Sequence, residues 1–188
     1  MKSNILKLSS LILLGISSPV FAALGTINFN GAVNSTTCSG VVSGGSSGSS
    51  SETIILPTVT KDKLDSAAKV EGKTQFTINL TDGNGGKCSI TDTSTKYAVP
   101  YFVYEAGRVN SDGRLKNLAT VGAATNVDIE LLTNAATANK IDIVDDIAQN
   151  TSTASDNESY VYYAQYYATG TSTEGEVKAT VTYNIIYK

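Results

Sequence analysis

An all-β domain of sandwich type is what this sequence predicts, and three observations predict it. Apolar residues recur with a period of two, clusters of Gly, Asn, Asp and Ser separate the alternating stretches, and only residues 61–69 accommodate one or two helical turns. The 188 residues, 41% of them hydrophobic, are one domain's worth with enough apolar side chains for a core.

Taken in order, the chain opens with Lys2 and Lys7 ahead of an apolar run over residues 8–16, and Val20, Phe21 and Ala22 precede a cut before Ala23. This pattern reads as a secretory signal peptide over residues 1–22, too short to anchor in a bilayer. No other stretch approaches the roughly 20 apolar residues of a spanning helix. Gly25, Ile27, Phe29, Gly31 and Val33 then alternate with Thr26, Asn28, Asn30 and Ala32, which predicts a strand with one buried face. Val41 and Val42 and the β-branched residues 53–59 are expected to form two strands of a hairpin around a long flexible Gly/Ser loop, residues 43–51.

Residues 74–81 keep Phe76, Ile78 and Leu80 in phase and run into a dense turn cluster at 82–86. Residues 97–105 are aromatic and β-branched, with Pro100 pointing to an edge position or a bulge. Asp112 and Gly113 mark a turn. Val127, Ile129 and Leu131 alternate with Asp128 and Glu130 on a polar outer face, and residues 141–144 are a short apolar piece. Residues 160–168 and 176–187 are expected to pair as an antiparallel hairpin around loop 169–175. Seven or eight short strands in one domain predict an immunoglobulin-type β-sandwich, with a closed barrel as its rival. The absence of Trp favours a relative of that architecture over a true immunoglobulin domain.

Composition narrows the function. Fourteen basic against 17 acidic residues, a net charge of −3 and no basic run remove the electrostatic footprint of nucleic-acid binding. With no His and two Cys, imidazole general bases, Ser-His-Asp and Cys-His pairs and the usual zinc sites are missing, so no enzyme, metal or cofactor is expected. Asp142, Asp145 and Asp146 lack the ligand spacing and turn glycine of a calcium loop. The tyrosines at 160, 162, 163, 166 and 167 alternate, which sends about half of them to the core rather than to a ligand surface. For an exported chain, Cys38 and Cys88 read as a structural disulfide whose loop of about 50 residues stabilises the fold by roughly 4 kcal/mol.

Three features coincide: the alternating segment Gly25, Ile27, Phe29, Gly31 and Val33 leading to Cys38; the Cys38 and Cys88 pair; and a C-terminus with Gly175 fourteenth from the end and Tyr187 penultimate. Together they resemble the pilin subunits of the chaperone–usher pathway, the type 1 fimbrial major subunit family. The resemblance implies an incomplete immunoglobulin-like sandwich completed by a donor strand from a neighbouring subunit or a chaperone. It divides the chain into a signal peptide (1–22), a donor-strand extension (23–34) and a pilin domain (35–188). It also implies that the last strand, with Gly175, Tyr183, Ile185, Tyr187 and Lys188, is offered to the chaperone.

The partners it implies are copies of the same chain, other pilus subunits, a periplasmic chaperone and an outer-membrane usher, with no nucleic acid. The destination is export through the periplasm to a fimbrium on the cell surface, supporting adhesion. The alternative weighed against this is a fimbrial subunit or adhesin that itself binds a host or surface ligand. Tip adhesins carry an additional receptor-binding domain and no donor strand, whereas this chain has one domain and the alternating segment. The Gly/Ser loop 43–51 is longer than the resemblance implies, and the polar segment 135–159 has no counterpart in it.

Overall fold

The computed structural model describes residues 38–45, 48–82, 84–88, 98–133, 139–145 and 159–187. All of them lie in the compact unit Ala32–Lys188. A first unit, Met1–Gly31, and with it the signal peptide and the alternating segment at 25–33, lies outside the described residues.

Among the described residues there are seven strands: β1 (Ser39–Ser43), β2 (Val70–Thr81), β3 (Ala98–Val103), β4 (Leu115–Lys116), β5 (Val127–Leu132), β6 (Ser159–Ala168) and β7 (Thr182–Tyr187). They form two antiparallel sheets, one of five strands in the order β1-β2-β6-β5-β4 and one of two strands, β3-β7. Local pattern explains the faces. In β2 Phe76, Ile78 and Leu80 are buried, in β6 Tyr160, Tyr162 and Ala164, and in β5 Val127, Ile129 and Leu131, all in the period-two phase of a strand with one face on the core. Phe102 of the small sheet meets Tyr162 edge-on at 5.1 Å, and Phe76 stacks on the other side of that ring at 5.5 Å, so one aromatic column joins the two layers. This is a sandwich rather than a barrel, because the strand ladders fall into two separate sheets.

Four expectations change. The helical stretch is a single 3-10 turn, Lys61–Leu64, whose Leu64 is buried. Residues 160–168 and 176–187 do not pair as a hairpin: β6 has β2 on one edge and β5 on the other, so no edge is left for β7, which crosses to the other sheet and pairs with β3. Val41 and Val42 likewise pair with Asn79 and Ile78 of β2, while residues 53–59 run extended beside the core without a ladder of their own. Glu130, expected on a polar outer face, is only 7% exposed. Arg114 donates to its Oε1 at 3.0 Å and Gln165 to its Oε2 at 2.8 Å, and the Arg114 guanidinium lies 3.5 Å from the centre of the Tyr167 ring. A buried carboxylate needs such partners, and here the outer face of the large sheet supplies them.

The strand expected at 97–105 is β3, and Pro100 sits in a sheet of two strands, where a residue without an N–H is tolerated. Residues 141–144 contribute Ile141 and Ile143 to the core, held by Ile141 N–H to Leu131 C=O at 2.8 Å. Of the five tyrosines, Tyr160 and Tyr162 are buried, while Tyr163 and Tyr167 are on the opposite face. Asp146 and most of the segment 135–159 lie outside the described residues.

Candidate assembly groove

The last strand is built differently from the others. Residues 177, 179, 181, 183 and 185 alternate in phase toward the core, as Val, Ala, Val, Tyr and Ile, and all five pack against it while remaining only partly buried. Their counterparts in β2 and β6 are buried because strands cover them on both sides. The backbone shows the same asymmetry. Glu176 N–H donates to Gly122 C=O at 2.6 Å, Ala124 N–H to Glu176 C=O at 2.9 Å, Lys178 N–H to Asn117 Oδ1 at 2.9 Å and Leu118 N–H to Lys178 C=O at 2.6 Å.

Even-numbered residues therefore turn their main-chain groups toward 117–124. In an extended chain the odd-numbered ones must turn theirs the opposite way. Among the described residues no backbone-to-backbone hydrogen bond reaches 177, 179 or 181. Of the residues with half-covered side chains, 177, 179 and 181 also have main-chain groups without a backbone partner among the described residues.

The opposite wall is the extended segment 53–59, where Ile54 and Leu56 are half-buried on the core and Ile55 is 79% exposed between them. Here too no main-chain hydrogen bond to another strand occurs among the described residues. At one end the two walls meet in a cavity of about 340 Å³ lined by Val59, Leu64, Ala124, Val127, Tyr166 and Val177. At the other, the Tyr183 hydroxyl donates to Ser50 C=O at 3.3 Å. The two stretches are the walls of the candidate groove: both pack apolar side chains on the same core, and neither 53–59 nor 177–181 belongs to a strand ladder among the described residues.

Two glycines shape it. A Cβ on Gly40 of β1 would fall 2.6 Å from the Tyr183 ring, so the absence of a side chain there lets that ring sit close against β1. Burial of the ring pushes the Tyr183 hydroxyl above its ordinary pKa. Gly175 has φ +152°, and a Cβ on it would fall 2.4 Å from Ala124 N and 2.5 Å from Gly122 C=O. This residue is glycine because β7's lead-in presses its backbone against the turn at 122–124, beside the cavity.

Cys38 and Cys88 form a disulfide with Cα atoms 5.5 Å apart, joining the start of β1 to the segment that follows β2. Cys38 N–H donates to the Tyr187 hydroxyl at 2.7 Å, so the penultimate tyrosine touches the disulfide cysteine just ahead of β1. The structure thus places Tyr183, Ile185 and Tyr187 on β7, and Gly175 in the lead-in seven residues before it, beside the cavity. Lys188 and the donor-strand residues Gly25, Ile27, Phe29, Gly31 and Val33 lie outside the described residues. Sequence reasoning missed the second wall and Gly40. Their signals were present in the alternation of 53–59 and in a glycine inside a strand.

The model of the family described as fimbrial protein matches residues 27–188. The chain belongs to this family. The fimbrial chain is 37% identical over 177 residues to the major fimbrial subunit SMF-1 of Stenotrophomonas maltophilia, covering 88% of this chain and 94% of that protein. It is 39% identical over 176 residues to the F17 fimbrial protein of Escherichia coli, with 92% of each covered. Its fold is similar to the crystal structure of the P pilus rod subunit PapA, with a TM-score of 0.52 at 18% identity, covering 88% of this chain and all of that one. The all-β incomplete immunoglobulin-like sandwich and the role of structural pilus subunit, expected from the sequence, both stand. Both relatives are fimbrial proteins. Among the described residues, no helix is long and apolar enough to cross a membrane.

Proposed function

We propose that this pilin polymerises by donor-strand exchange, the extension 23–34 of one copy adding as a strand to the groove of the next. The observation that carries the reading is the coincidence of half-buried side chains and unpaired main chain along residues 177–181, which one added strand completes together. Ile27, Phe29 and Val33 of the arriving segment are its apolar face, each contributing roughly 1.5 to 3 kcal/mol when buried. Gly31 is in phase with them, where only a residue without a side chain fits if the two backbones approach closely.

Residues 1–22 are the signal peptide and 35–188 the accepting domain. An open apolar groove of this kind aggregates unless covered. A periplasmic chaperone therefore holds strand β7 and the C-terminal Lys188 until an outer-membrane usher exchanges it for the next copy or another pilus subunit. The work is mechanical rather than catalytic: a surface fibre that supports adhesion, reached through the periplasm. Electron microscopy of cells with and without the chain, with a gel of sheared material, tests this. Fibres and a ladder of multimers that collapses only on strong heating are expected, and a monomer at every temperature overturns the reading.

A further inference from the structure

β7 and β1 lie in different sheets, so no backbone ladder joins them. Two polar ties nevertheless run from β7 to the start of the domain, and both come from tyrosines on one face of the strand. Tyr187 accepts the Cys38 N–H at 2.7 Å, and Tyr183 lies over Gly40 and donates to Ser50 C=O at 3.3 Å. Cys38 immediately precedes β1, four residues beyond the proposed extension 23–34, and β7 with its lead-in is the stretch proposed to accept the added strand. Residues 149 apart in sequence are thereby tied by one side chain.

We propose that Tyr187, assisted by Tyr183, is a positioning residue for force: an inter-sheet strap that passes axial tension directly from the accepting strand to the root of the outgoing extension. This rests on the donor-strand reading. In such a fibre, tension enters a subunit through the neighbour's strand hydrogen-bonded to β7 and leaves through the peptide before Cys38. Without the strap the same load crosses between sheets by less direct routes: the bonds of 176–178 to 117–124, the Tyr160 hydroxyl on Ala98 C=O, and side-chain packing, the apolar column of Phe76, Tyr162 and Phe102 above all. That packing resists separation but is non-directional and slides more readily than a short hydrogen bond. The Cys38–Cys88 disulfide then spreads the load from Cys38 into the segment after β2. Tyr187 contributes its hydroxyl at the tightest point, and Tyr183 restrains the same strand four residues earlier.

Single-fibre stretching at constant force tests this with Tyr187→Phe and Tyr183→Phe, substitutions that keep both rings. Subunit opening under tension is expected to quicken several-fold and up to about tenfold in Tyr187→Phe, the scale of one hydrogen bond, and less in Tyr183→Phe, whose bond is longer. A control pulls single subunits through handles at the 84–85 and 112–113 turns, which load the large sheet without crossing to β7, and there the rates should match the parent chain. Unchanged opening in fibres, or equal quickening in both geometries, overturns the proposal, the latter because it marks a general loss of stability. If the parent chain yields no heat-resistant multimers, the donor-strand reading fails first and the strap falls with it. Multimers whose opening rates ignore both substitutions defeat the strap alone.

Discussion

Strands β6 and β7 carry nearly the same local message and meet different fates. Both alternate, both are rich in tyrosine, and both send every second residue into the core. β6 has a partner on each edge and buries Tyr160 and Tyr162 to 1% and 2% exposure, whereas β7 has one partner and leaves Tyr183 and Ile185 half-covered. Alternation therefore encodes which face of a strand is apolar and says nothing of how many neighbours will cover it. The difference between a finished and an unfinished sandwich is set by topology: the chain spends its last crossing on the small sheet because the large one is already closed around β6.

Breaking the finished side should cost most. Tyr162→Ala removes a ring packed between Phe76 and Phe102 and is expected to destabilise the domain by about 3–5 kcal/mol, read as a shift in the urea midpoint; a shift corresponding to less than ~1 kcal/mol would show that the aromatic column does not organise the core. Gly40→Ala tests the boundary between the two regions. Its added methyl falls 2.6 Å from the Tyr183 ring, and displacing that ring from β1 should cost about 1–3 kcal/mol in the same measurement. On the unfinished side, Ile185→Ala should cost the monomer only about 1 kcal/mol, since the side chain is half-covered, but should weaken assembled multimers more. The comparison is the heat needed to dissolve the ladder against the urea midpoint of the monomer, and equal effects on both would mean that β7 gains no cover on assembly.

These differences mark how much was legible beforehand. The faces of β2, β5 and β6 followed from Phe76, Ile129 and Tyr162 in a period of two, and the Cys38–Cys88 pairing from compartment and count. The partner of each strand did not follow. Residues 160–168 and 176–187 have a loop of hairpin length between them, and only the occupation of both β6 edges by strands distant in sequence sends β7 elsewhere. The burial of Glu130 was hidden for a related reason. Period two puts it on the outer face, correctly, but its burial depends on Arg114, Gln165 and Tyr167 arriving from three other segments. Gly175 was legible as a position of note from its distance to the C-terminus, while its physical cause, contact with the backbone at 122–124, is tertiary.

The smallest expected effect separates the same two regions by pH. The Tyr160 hydroxyl, buried under the large sheet and donating to Ala98 C=O at 2.5 Å, is pushed from the ordinary 10.0 up to about 12 by loss of solvent. The folded chain thus holds a proton that the unfolded chain releases from about pH 10. Between about pH 10 and 12 the unfolded state binds fewer protons than the native one, so stability falls as pH rises; below that window the contribution is fully present.

Tyr166 and Tyr183 are raised in the same direction by burial, so all three tyrosines steepen the alkaline limb. Tyr160→Phe should change the urea midpoint at pH 8 by the equivalent of about 0.5–1.5 kcal/mol, one hydrogen bond, and should flatten the decline above pH 10 without abolishing it. Tyr183→Phe should flatten it less in the monomer, and by more once a strand has covered β7, because only then does that ring lose its remaining solvent. A monomer and a multimer with the same Tyr183-dependent decline would place the added strand somewhere other than over this ring.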